Sequence, residues 1–467
     1  MSASWGIDVT KMPGTKYEAT LREDVVRVDA ETVKRAARGV NRDHDIYFFE
    51  NLPELREKLV PGKVVLFEGL TFKRIQAVAV DGSQLIVGTE DAALTDLFKD
   101  ANIQWKVPIN FRDVHAQRVR ARVALGPGLP RTRMQSALEW VSSLEPRVYA
   151  AEGADAETGE GEEEGWKFNY DTKFSPDRLD FDVDLSRKGG VAHVTELDAN
   201  ITGKGYIKNF ESSLSMAINN SAMSQFNFSN SDVNGAVDFA WTVGCPGPPK
   251  EMGEERIKLP ALMSVPLFVG GVPFTLEIGE ALLFHPAFTT KEEIAKGAFH
   301  VDYNGVTGLK VSSGGGEPAN DSNASEDGSI TTSKAFSPLA AFGVVIAVAM
   351  PRFDLKTGAE ELLAEVPDSL ADRAAELLAK TTIGHFVKKA KDALKTEAAA
   401  YFQVILSSSA SHSGMQSLVP CQRFGLHVEG QVGANMTVLG IAKPLAMFKV
   451  FQQDIDQPTP PGKICTG

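Results

Sequence analysis

The chain has 467 residues, 43% hydrophobic and 23% charged, with a formal net charge of −13. That length exceeds one compact core, so two or three domains are expected, and the composition is that of a globular chain rather than a disordered or membrane-spanning one. The acidic balance excludes a general binder of nucleic acid or of anionic membranes, because phosphate backbones call for a basic face.

The opening residues, Met1 to Gly6, carry no apolar leader core, so the expectation is a cytoplasmic chain or an exported one whose leader has been removed. Residues 29–38 hold good helix formers behind Asp29, a suitable N-cap. Strands are expected over 63–68, 75–80 and 84–88, with Asp81-Gly82 marking a tight hairpin. A short helix is expected over 89–98. Residues 1–150 therefore predict a small α+β module. Near its end Arg112, Arg118, Arg120, Arg122, Arg131 and Arg133 crowd together. The alternating Arg118, Arg120 and Arg122 share one strand face, either solvated and paired with acids or open to an anion or partner.

Residues 151–165 are Gly, Glu, Asp, Ala and one Thr, which predicts an acidic flexible linker. A two-beat pattern follows. Trp166, Phe168 and Tyr170 alternate with Lys167 and Asn169. Leu179, Phe181, Val183 and Leu185 alternate with Asp180, Asp182 and Asp184, and the same beat returns in Leu214, Met216, Ile218 and in Val237, Phe239, Trp241, Val243. Successive strand side chains point to opposite faces, so this period sets one face on a core and the other in water. Pro266, Pro273 and Pro286 predict edges or bends in the apolar stretch 260–286, which is apolar enough to sit at an interface. Tyr303 to Val306 reads as a hairpin, and 312–328 as a surface loop. The apolar run 336–350 is too short for a transmembrane helix and predicts a strand buried on both faces. Helices are expected over 359–366, 369–380 and 383–394, a helical insert covering the β body, before strands resume at 401–406 and 424–428. The fold expected is mainly β: a large antiparallel β-sandwich-like body over 166–467, with a helical insert at about 359–394, preceded by the small α+β module.

Candidate chemistry is sparse. Asp180, Asp182 and Asp184 share one strand face and are candidate calcium ligands, against a solvated face opposed by lysines. His285 and His300 meet only if a hairpin joins residues 280 to 305, and a Ser-rich turn explains the stretch Ser409 to Gly414 better than a nucleophile does. None of the three cysteines, Cys245, Cys421 and Cys465, sits in a zinc-type pair. A Cys421–Cys465 disulfide would staple the C-terminal segment in an oxidising compartment, whereas three free thiols suit a reducing one. No nucleotide, hydrolase or redox motif occurs, and no cofactor is expected.

The function expected is that of a non-catalytic cell-envelope or extracellular protein for assembly or adhesion, with a protein partner or self-association. A carrier of a lipid or other apolar ligand in a β-lined cavity is the second expectation. A hydrolase with a dispersed site is the third.

Overall fold

The computed structural model describes residues 6–113, 149–150, 156–163, 165–191, 194–245, 255–258, 262–288, 293–312, 315–318, 342–381, 397–412, 422–438 and 441–459. Along the chain come β1 (Ile7–Asp8), β2 (Lys16–Leu21), β3 (Val26–Val28), α1 (Ala30–Ala36), β4 (Ala37–Asn41), β5 (Ile46–Glu50), α2 (Pro53–Lys58), β6 (Val64–Phe67), β7 (Thr71–Asp81), β8 (Gln84–Asp91), α3 (Leu94–Leu97) and β9 (Phe98–Ile109). Next are β10 (Tyr149–Ala150), β11 (Ala156–Glu163), β12 (Trp166–Phe174), β13 (Arg178–Val191), β14 (Val194–Lys208), β15 (Phe210–Asn219), β16 (Ala222–Cys245), β17 (Glu255–Lys258), β18 (Met263–Val269), β19 (Val272–Phe288), β20 (Glu293–Ser312), β21 (Gly315–Pro318) and β22 (Phe342–Thr357). After a 3-10 turn at Glu360–Leu362 come α4 (Asp368–Thr381), β23 (Glu397–His412), β24 (Gln422–Val438) and β25 (Ile441–Thr459).

These strands make three sheets. The first runs β3-β6-β7-β8-β5-β4. The second, with 11 strands, runs β10-β11-β12-β13-β14-β16-β15-β9-β2 and adds β20 and β21 beside β16. The third, with 8 strands, runs β1-β18-β19-β22-β23-β24-β25, and β17 lies on β19. The mainly β, sandwich-like architecture expected from the alternation is what the chain adopts. On β12 the buried residues are Trp166, Phe168, Tyr170, Thr172 and Phe174, with every second residue exposed. One apolar cluster joins the second sheet, through Trp105, Leu214 and Phe228, to the third, through Leu276, Ile278 and Phe353. The Phe210 and Phe353 rings meet edge to face at 5.0 Å.

The first sheet is an insertion between neighbouring strands of the second. β2 and β9 pair directly, Lys16 opposite Gln104, and β9 pairs in turn with β15. β9 belongs there because Ala101, Ile103, Trp105, Val107 and Ile109 keep the body's own two-residue period. The expected hairpin at Asp81-Gly82 forms, with Gly82 at φ +60. The helix at 29–38 is present as α1, capped by Asp29, which accepts from the Thr32 amide at 2.9 Å. Helix α2, which starts on Pro53, was not expected.

Three expectations need correction. Residues 156–163, expected within the linker, form β11 against β12. Glu160 and Glu162 still face outward, but Gly159 and Gly161 stand opposite Tyr170 and Phe168, so each ring lies across a bare glycine. The residues around Asn304 and Gly305 form no hairpin: β20 runs straight through them beside β16, and the irregularity is on the partner, a bulge at Ser231 and Asp232 with Asp232 at φ 59. The helical segment covers a different surface. Residues 359–366 are a 3-10 turn and extended chain, and α4 packs Ala371, Ala374 and Leu378 on Ile46, Phe48, Ala77 and Ile86 of the first sheet rather than on the β body. The expected helix at 383–394 lies outside the described residues.

Glycine opposite an aromatic ring recurs on this inner face, as Phe181 with Gly205 and Gly203 with Phe239. The two glycines differ in room. A Cβ at Gly205 would lie 2.2 Å from the Ala236 carbonyl oxygen, whereas one at Gly203 would meet Phe239 at an ordinary 3.6 Å. Gly205→Ala is therefore expected to lower stability by about 1–3 kcal/mol through backbone displacement. Gly203→Ala is expected to stay within about 1 kcal/mol of the parent, aided by the stiffer unfolded chain. Urea unfolding of the two variants checks the contrast, and equal effects would refute it.

Candidate functional site

Among the described residues, the densest group of ionisable side chains lies inside the inserted module. Lys73, on β7, shares a strand face with buried Thr71 and Ile75 and is itself buried. Its ammonium lies 2.6 Å from Asp91, 3.1 Å from Asp45 and 3.6 Å from Glu360. Glu360 also accepts hydrogen bonds from Tyr47 at 3.1 Å and Thr71 at 2.8 Å. Burial pulls the Lys73 pKa down, but the carboxylates of Glu360, Asp45 and Asp91 outweigh it and hold the ammonium well above the usual lysine range. Burial, then Glu360, pushes the Tyr47 phenol up as well. A lysine kept protonated is no nucleophile, and a phenol kept neutral is no base at neutral pH. The cluster acts as a clasp: Glu360 arrives from far along the chain and ties the return segment to β7. Arg42 reinforces it by pairing with Glu365 and donating to the carbonyls of Glu360 and Leu363 at 2.9 Å.

A second polar group lies on the inner face of the body. Ser212, Asn230 and Thr307 stand side by side across β15, β16 and β20, and each is fully buried. Their side-chain oxygens and the Asn230 amide nitrogen have no hydrogen-bond partner. Apolar neighbours on the same strands, Phe210, Leu214, Phe228 and Leu309, bracket the row.

The outer face of the same sheet carries the carboxylates singled out in the sequence. Asp182 pairs with Lys204 at 2.5 Å, Asp180 with Arg178 at 3.0 Å, and Asp184 stands opposite Asn169 and Thr202. Lys173 lies directly across from Asp180. Among the described residues no group of three or more His, Cys, Asp or Glu is placed to hold a metal ion. The chain brings together Asp182, Lys204, Asp238 and His300, which are successive cross-strand neighbours over β13, β14, β16 and β20. His300 meets Asp238 at 2.7 Å through Nδ1 and Asp302 at 3.3 Å through Nε2. The Asp238 hydrogen bond raises its pKa, and two engaged ring nitrogens leave no free lone pair for a general base. His285 is on β19 of the third sheet, and β20 of the second sheet carries His300, so no hairpin unites them.

Of the stretch 260–286, apolar enough for an interface, residues 262–279 line the core. Met263, Val265, Leu267, Phe274, Leu276 and Ile278 are buried in the body cluster, and Phe268 is buried in the module's. Cys421, Cys465 and the arginines from 118 to 133 lie outside the described residues. Among the described residues no helix is long and apolar enough to cross a membrane.

The remaining feature is an edge. β25 pairs along its whole length with β24, and among the described residues no strand pairs with its other side. Pro444 and Pro458 lack an amide proton, so they bound a run of outward donors and acceptors between them.

A family model described as a domain of unknown function (DUF8402) matches residues 206–367. That span, less than half of the chain, contains the Ser212–Asn230–Thr307 row and the Glu360 turn. Neither the curated proteins nor the solved structures contain a match.

Proposed function

We propose that this is a non-catalytic binding and assembly protein of the cell envelope or exterior, which takes a strand from a second copy of itself along the outer edge of β25. The length of that edge carries the reading: β25 runs over Ile441–Thr459 with a ladder on one side. An open strand of that length presents a row of unpaired backbone groups, the requirement for recognition by strand addition. The state of the polar clusters agrees with a non-catalytic role. Lys73 is engaged by carboxylates, and His300 by two of them.

Neighbouring proline substitutions test the edge, because adjacent strand amides point to opposite sides. Gln453 and Asp454 stand opposite Val428 and His427 in a regular stretch of the ladder. Of Gln453→Pro and Asp454→Pro, one is expected to break the bond to β24 and lower stability. The other is expected to leave stability near the parent's and weaken self-association about tenfold or more in sedimentation velocity. A parent chain that stays monomeric at high concentration refutes assembly. If a lipid copurifies with that monomer, the carrier reading takes its place.

A further inference from the structure

The return segment is rooted where β22 ends. Gly358, at φ +99, turns the chain out of the third sheet, and its amide donates to the Pro273 carbonyl at 3.1 Å. The next amide, of Ala359, donates to Leu70 at 2.7 Å, which starts the segment across the inserted module. At this root the Thr275 hydroxyl oxygen lies 2.6 Å from the Gly358 carbonyl oxygen and 2.8 Å from a carboxyl oxygen of Glu361. One threonine hydrogen cannot serve both contacts. A carbonyl has no hydrogen to give, so Thr275 donates to Gly358 and the Glu361 carboxyl donates its own proton to Thr275. The arrangement closes only with Glu361 in its acid form.

We propose that Glu361 and Thr275 form a proton-dependent catch, which holds residues 358–381 on the inserted module while Glu361 is protonated and loosens them when it ionises.

The surroundings favour the neutral form. Glu360 precedes Glu361 in the same turn and is engaged with Lys73, Tyr47 and Thr71 of the first sheet. From β19 comes Glu277, paired with Lys356 of β22 at 2.5 Å. Asp354 of β22 lies across from Glu277 and is held by Arg352 at 2.8 Å. Arg42 reaches the turn from the loop after β4 and is bound to Glu365. The cations facing this turn thus have carboxylates already, and an ionised Glu361 would add to the charges of Glu360 and Glu277. Glu361 is partly buried, and its loss of water outweighs the hydrogen bond from its own amide; with those two charges adding to it, the carboxyl is brought up from 4.5 to about 7. A folded-state pKa above the unfolded one gives a stabilising contribution that is whole below about pH 4.5 and is lost as pH rises through about 7.

The segment that would loosen carries Leu362 and Leu363, packed with Tyr47, Phe49 and Phe67, and Ala371, Ala374 and Leu378, packed with Phe48 and Ile86. Ionisation therefore weakens the cover over both faces of the first sheet. This inference is independent of whether β25 binds a second copy.

Hydrogen exchange of the full chain tests it, with rates corrected for the intrinsic pH dependence of exchange. Between about pH 6 and about pH 8, amides within 359–380 should lose roughly tenfold in protection, while those of the β12–β13 pair hold theirs. Glu361→Gln keeps a donor toward Thr275 but cannot ionise, so its protection should be equal at both values. Thr275→Val removes the acceptor and should reduce protection already at the lower pH. Equal protection at both pH values in the parent, a persisting loss in Glu361→Gln, or parental protection at about pH 6 in Thr275→Val would each overturn the catch.

Discussion

Replacing Lys73 with Met is expected to destabilise the protein by about 3–5 kcal/mol, among the largest effects of any single substitution outside the apolar core. The substitution leaves packing volume nearly unchanged and removes the ammonium that Asp45, Asp91 and Glu360 share. Asp45 is 4% exposed, so its carboxylate cannot recover water without local opening. The loss is the cost of leaving buried acids without their shared ammonium, and it differs from the net worth of the cluster. Combining Lys73→Met with Asp45→Asn and Glu360→Gln should therefore recover much of the stability, and a mutant cycle in urea separates the two quantities. A Lys73→Met chain within about 1 kcal/mol of the parent would show that the clasp contributes little. The same variant should free the Glu360 turn first, because Lys73, Tyr47 and Thr71 are the contacts that bind that carboxylate to the first sheet.

The partners of that clasp explain why it was not legible in the sequence. Lys73 itself leaves a trace: it occupies a buried parity between Thr71 and Ile75, where an apolar residue is the ordinary choice. Its partners carry no trace, because Asp45, Asp91 and Glu360 come from separate parts of the chain and only the return of residues 358–381 brings Glu360 near. The body was legible because every second residue on β12, β13 and β15 reports its own environment. The boundary near residue 150 was drawn by composition, yet pairing ignores composition: β2 and β9 lie inside the body sheet. The acidic stretch misled for a related reason. At 159 and 161 glycine takes the positions opposite the rings, so the two-beat pattern has no apolar beat there, and the rings that complete it stand on β12 at Phe168 and Tyr170. The edge on β25 depends on the order of strands, which the alternation of one strand does not record.

The row of Ser212, Asn230 and Thr307 leads to the opposite expectation from Lys73. Nothing charged is involved, and each side chain is fully buried with its polar atoms unpaired. A buried hydroxyl or amide without a partner costs about 1–3 kcal/mol relative to one that keeps its hydrogen bonds. Replacing the whole row by apolar residues of similar size removes that cost without opening a cavity. The triple variant Ser212→Ala, Asn230→Leu, Thr307→Val is therefore expected to be more stable than the parent by about 2–5 kcal/mol. Asn230→Leu should supply the largest share, because the amide has two unpaired atoms. The position of the row gives this a physical meaning. Asn230 is the last residue paired with β20 before the bulge at Ser231 and Asp232, where β16 leaves β15 for β14. Unpaired groups at that junction weaken the seam between the two halves of the sheet, so the stabilised variant should also slow hydrogen exchange at residues 226–237. Urea unfolding decides the matter. A triple variant less stable than the parent would mean that the three side chains bond to one another or to enclosed water in solution, and that the row ties the junction together instead of loosening it.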